Sequence, residues 1–99
     1  METPQLTVED FRDHVGTSFA LKGSEPPRHL VLEEATPIPM RHVPDGFRAP
    51  FRLMFRLNDA RVFPQHLYVL DHAAIGEVAI FLVPESQDAD GVRYCATFA

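Results

Sequence analysis

The chain has no tryptophan, one lysine and one cysteine, and it contains no long apolar run. Each shortage removes a class of answers. A single Cys95 excludes an intrachain disulfide and cannot build a cysteine zinc site alone, which fits a reducing compartment. With no stretch approaching roughly 18 apolar residues, no membrane-spanning helix is expected. The opening METPQLTVEDF shows neither a basic nor an apolar signal-peptide region, so a cytoplasmic location is expected. Glycine is scarce as well, at five residues, and none forms a phosphate-binding loop. HExxH and nucleophile-elbow patterns are missing too. No catalytic residue, metal ligand or cofactor-binding residue is therefore assigned, and no cofactor is expected.

What the chain does have is apolar mass: 45% of its 99 residues, including eight Phe and two Tyr. That supports one hydrophobic core and one domain spanning residues 1–99. The net charge of −5 is unevenly spread. Residues 1–40 carry −4, residues 41–61 carry +3 through Arg41, Arg48, Arg52, Arg56 and Arg61, and residues 62–99 carry −4. Nucleic-acid binding rests on net phosphate neutralisation, so this balance argues against it.

Only the start of the chain has helical spacing. Thr7 stands as N-cap with Asp10 in the capping-box position, and Phe11 and Val15 share one stripe, predicting a helix over 7–15 that Gly16 ends. The period then changes to two. TSFALK, RHLVLEEA, FRLMFRL, HLYVLD, EVAIFLV and VRYCATF give six candidate strands, with a Pro-rich loop over 40–50 and a hairpin turn around Asp90-Gly91. No gap between strands holds a convincing crossover helix, so the expected fold is a small antiparallel β-barrel or sandwich with one short N-terminal helix.

Three groups of residues merit a functional reading. His66, Asp71 and His72 could suggest a metal or acid–base site. On an extended strand, however, the two histidines lie roughly 20 Å apart and Asp71 points to the other face. A structural role for His72 at the strand end is expected instead. Glu33 and Glu34, as strand neighbours, should face opposite ways. The stripe Arg52, Met54, Arg56 reads as a solvated strand face or as an anion or protein contact. Val78, Ile80 and Leu82 alternate with Ala79, Phe81 and Val83, so both faces of that strand are apolar. One face meets the core. The other needs the short helix, a loop or a second subunit, which makes Arg52, Met54, Arg56 and Phe81 the candidate interface.

The same residues resemble a family of roughly hundred-residue bacterial proteins classed as a domain of unknown function. Its pattern is matched by Gly16 and Phe19 after the helix, then by Phe51, Leu53 and Phe55 for F-x-L-x-F. Gln65, Tyr68, Leu70 and His72 match Q-x-x-Y-x-L-x-H. Gly76 with Ile80 through Pro84 matches G-x-x-x-I-F-L-V-P, and Tyr94, Ala96 and Phe98 match Y-x-A-x-F. His66 stands where the family has glycine, and Leu57-Asn58 where it often has Gly-Pro, so local turn geometry differs there. The resemblance implies no assigned activity. It implies a neighbourhood of proteins resembling phage-tail collar or fibre components, hence an accessory role in assembly. The expected function is a non-enzymatic structural or protein-binding module whose partner is a protein or a second copy, with no nucleic acid and no membrane. The alternative is a small-ligand-binding or enzymatic barrel with a pocket near Gln65, Tyr68 and His72.

Overall fold

The computed structural model describes residues 6–24, 28–39, 42, 49–58 and 62–98. The elements run α1 (Val8–Arg12), β1 (Ser18–Leu21), β2 (Arg28–Pro37), β3 (Phe51–Leu57), β4 (His66–His72), β5 (Gly76–Asp88) and β6 (Gly91–Phe98). The six strands form one antiparallel sheet in the order β1-β2-β3-β6-β5-β4, which closes into a barrel where β1 meets β4 at Ala20↔Asp71 and Leu21↔Leu70. The expected Pro-rich loop over 40–50 lies largely outside the described residues.

Alternation fixes what lies inside. Phe51, Leu53, Phe55 and Leu57 of β3 are buried, while Arg52, Met54 and Arg56 between them are exposed or half-buried. β6 continues the pattern with Val92, Tyr94 and Ala96, β5 with Ile80 and Leu82, β4 with Leu70 and His72, and β1 with Phe19 and Leu21. A six-stranded barrel is narrow enough for such side chains to fill it, so its interior is a packed core and not a lumen.

Each end of the barrel has its own closure. At one end α1 is shorter than the sequence suggests. It spans five residues where 7–15 was expected, because Val15 is 44% exposed and leaves the stripe. Val8 and Phe11 make the buried face instead. The capping box forms, with the Thr7 N–H donating to Asp10 Oδ2 at 2.7 Å. So short a helix has no stability of its own and is held by packing. The Phe11 ring stands 5.8 Å from Phe51 and from Phe98 and 6.4 Å from Phe19, and the Phe51 and Phe98 rings stack at 4.6 Å. At the other end Phe63 lies over the barrel: its N–H donates to the Tyr94 hydroxyl at 2.8 Å, and the Tyr68 hydroxyl donates to the Pro64 carbonyl at 2.6 Å.

Two irregularities matter for the surface. A bulge between Leu32 and Glu34 gives β2 one extra residue, Glu33. Glu33 and Glu34 therefore do not alternate as expected: Glu33 meets Arg56 and Arg93 on the outer face, and Glu34 is paired opposite outward-facing Met54. The β5–β6 hairpin turns at Ala89 and Asp90, with Asp88 paired to Gly91. Gly91 has φ +122, and a Cβ there would run into the Leu57 carbonyl of β3, so the position takes only glycine without strain.

Candidate functional site

Two places on the barrel bring polar or exposed apolar groups together in ways the local sequence does not show. The first is the helix end. His72, the last residue of β4, is 7% exposed and its ring packs 4.4 Å from the Phe19 ring. Its Nδ1 accepts the Ala74 N–H at 3.0 Å and the Ile75 N–H at 3.2 Å, in the turn leading to β5. An acceptor at Nδ1 places the proton on Nε2, which donates to the Thr17 hydroxyl at 2.9 Å, and that hydroxyl donates to the His14 carbonyl at 2.6 Å. The neutral ring is thus fully used. Burial holds its pKa below the ordinary value and His14 pushes it further down, while Asp71 pulls weakly upward. The His14 ring lies edge-on to it at 4.7 Å. This cluster ties the end of α1, the start of β1 and the β4–β5 turn to one another, and both nitrogens are occupied in doing so.

The second place is the outer wall. The outward residues of β4 and β5 pair as Leu67↔Phe81 and Val69↔Ala79, and further along Val83 pairs with Cys95 of β6, which pairs with Met54 of β3. Leu67 is 55% exposed, Phe81 50% and Val69 39%. Helix α1 sits over the barrel end, so among the described residues no element covers this wall. Cys95 is half-buried on the same surface; burial raises its thiol pKa, and Glu85 adds to the rise. The thiol is therefore poorly ionised.

Around the wall runs a ladder of charge. Glu33 of β2 receives Arg93 Nε at 3.0 Å, and Arg93 also binds Asp88 of β5. Arg56 Nε lies 3.4 Å from Glu33 Oε2, an ion-pair distance without hydrogen-bond alignment. Lys22 pairs with Glu77 at 2.7 Å below the patch.

The sequence-derived candidates fall into these places unevenly. Arg52, Met54 and Phe81 lie on or beside the apolar wall, and Arg56 belongs to the charge ladder. Gln65, Tyr68 and His72 are not brought together. Gln65 is exposed, Tyr68 reaches the Phe63 end, and His72 sits roughly 13 Å further along β4 at the helix end. Between Leu21, Leu30, Phe63, Tyr68, Leu82 and Tyr94 the barrel leaves a gap of about 10 Å³, the room of roughly one water. Among the described residues no three His, Cys, Asp or Glu side chains stand together as a metal site would require. His14 and Thr17 were missed by sequence reasoning because they reach His72 across more than fifty residues.

The pattern of residues 6–98 matches the domain of unknown function DUF6916. The chain belongs to the DUF6916 family. That span takes in α1 and all six strands. No curated protein matches it. No solved structure matches it either. Among the described residues of this DUF6916 chain, no helix is long and apolar enough to cross a membrane.

Proposed function

We propose that this DUF6916 chain is a non-enzymatic protein-binding module of the cytoplasm, an accessory to a larger assembly such as a phage-tail-like fibre or collar, and that it binds through the outer wall of β4 and β5. The observation that carries this reading is Phe81, half exposed opposite a more than half exposed Leu67 on a rigid sheet. Monomers seldom leave such apolar groups contiguous on the surface unless something docks there, because burying them stabilises a contact by about 25 cal/mol for each Å². The filled barrel favours the same reading over a ligand pocket: the space near Tyr68 is too small for more than a water, and both ring nitrogens of His72 are already engaged.

The test compares the tagged chain with its Leu67→Asp/Phe81→Asp variant in extracts of its own host, with mass spectrometry of what each retains. The variant must first unfold in urea at the midpoint of the monomeric wild type. A partner, or a second copy, held by the wild type and lost by the variant supports the reading. An identical set of retained proteins overturns it.

A further inference from the structure

We propose that His72 is an acid-released latch on the seam between β1 and β4, and that its protonation lets the barrel open there while the rest of the sheet stays paired. That seam is the shortest in the ring. Among the described residues β1 and β4 pair only at Ala20↔Asp71 and Leu21↔Leu70, with one further bond from the Lys22 N–H to the Val69 carbonyl at 3.0 Å. By contrast, β3 and β6 pair from Phe51↔Phe98 to Leu57↔Val92, and β4 and β5 from His66↔Leu82 to His72↔Gly76. One position further, the register would set Phe19 opposite His72, but the backbone pairing stops short of it. Side chains take over. The His72 ring packs on Phe19 at 4.4 Å, and its Nε2–H donates to the Thr17 hydroxyl at 2.9 Å. One side chain of β4 thus holds the start of β1 where the backbone does not.

The hold depends on an unprotonated Nδ1, which accepts the Ala74 N–H at 3.0 Å and the Ile75 N–H at 3.2 Å. A proton there sets N–H against N–H. An imidazolium has no acceptor atom at all, so turning the ring over does not help. Both turn donors are then left unserved in a part-buried place, which costs more than an ordinary hydrogen bond gains. Protonation therefore favours states in which the ring has left its slot, and leaving it breaks the bond to Thr17 as well. The charged groups around the ring do not offset this. His14 faces it from the helix end, ring to ring at 4.7 Å, and opposes a positive charge, while Asp71 on its own strand favours one only weakly. β1 offers Phe19 and Thr17 and β5 offers Gly76, none of them charged. Lys22 and Glu77 hold each other at 2.7 Å in an exposed pair. Once the latch is free, β1 keeps β2 from Ser18↔Val31 to Leu21↔Arg28, and β4 keeps β5. Parting β1 from β4 turns the closed ring into an open sheet without undoing either pairing.

Backbone hydrogen exchange, followed by NMR from about pH 7.5 to about pH 5 with the intrinsic pH dependence divided out, reads this opening. The amides of Lys22, Ala74 and Ile75 should be less protected than those of the β3–β6 ladder. Their exchange should change little with urea below the unfolding transition, because a local opening exposes little surface. As pH falls below the ordinary histidine value of about 6.5, their opening constant should rise, by at most roughly tenfold per pH unit, the limit for one proton. His72→Gln should remove that rise. Thr17→Val should open the same amides at the neutral end and leave the rise in place. Seam amides that exchange only with the whole barrel, with the free energy and urea dependence of the β3–β6 ladder, overturn the latch in the wild type alone. A rise with acid that survives His72→Gln overturns it as well.

Discussion

Ile80 and Phe81 are neighbours on β5, yet the first is 1% exposed and the second 50%. The inner face of the strand, with Ile80 and Leu82, belongs to the buried core with Phe and Leu side chains from four other strands. On the outer face, among the described residues, Ala79, Phe81 and Val83 have only their sheet neighbours Val69, Leu67 and Cys95 beside them. Both faces are apolar, so hydrophobicity alone does not say which residues hold the fold. Closure of the barrel does. The inner face has a partner on every side because the sheet curls back on itself, and among the described residues no element lies over the outer face. For a half-exposed Phe the burial still to be gained is on the order of 1 kcal/mol, available to a contact and not to folding.

The sharpest way to break this comparison is to remove one member of the inner set. Phe55 is fully buried and edge-on to Phe19 at 5.3 Å, so Phe55→Ala should cost about 3–5 kcal/mol in urea unfolding. Arg56→Ala, its outward neighbour, should cost no more than about 1 kcal/mol, because Arg93 keeps Glu33 paired. Equal costs would erase the distinction between the faces. Gly91→Ala should follow, at about 2–3 kcal/mol, since the added methyl strikes the Leu57 backbone and the φ is one that L residues avoid. A loss of under about 0.5 kcal/mol there would mean that β3 and the hairpin are not so tightly apposed.

The helix end sharpens the comparison by pH. His72 has its pKa lowered in the fold, chiefly by burial and then by His14. The unfolded chain therefore binds a proton that the folded one refuses, and stability must fall as pH drops. The stabilisation is complete above the ordinary histidine value of about 6.5 and is lost as pH falls from there through the lowered folded value. The slope from this one group is at most about 1.4 kcal/mol per pH unit. Urea midpoints between pH 7.5 and about 5 should show it, and His72→Gln should flatten it whatever that substitution does to the midpoint itself. An unchanged slope in the variant would assign the pH dependence to other groups.

How much of this was legible beforehand follows from the range of each interaction. The strands and their inward faces are written in local alternation, as in Phe51, Leu53, Phe55 and Leu57. The order in which they pair is not, because β1 meets β4 across some fifty residues with nothing local to mark it. Helix α1 was read too long: Val15 has the right spacing, but the chain leaves the helix before reaching it. The Glu33 bulge breaks a rule that strict alternation assumes, and so hides a carboxylate turned toward two arginines. Of the candidate surface, the exposed Phe81 and the two-faced β5 were legible. That α1 plugs the barrel end and does not lie on the wall is a fact of packing geometry that Phe11 decides through Phe19, Phe51 and Phe98.

The central claim is that the outer wall serves association and the inner wall serves folding, and one measurement separates the two most directly. Unfolding linked to association has a midpoint that depends on protein concentration. Urea unfolding of the wild type and of Phe81→Asp, each over a wide concentration range, should show a wild-type midpoint that rises with concentration where the partner is a second copy. The Phe81→Asp midpoint should stay constant and equal the wild-type value at the dilute limit. A Phe81→Asp chain that unfolds as readily as Phe55→Ala would contradict the account.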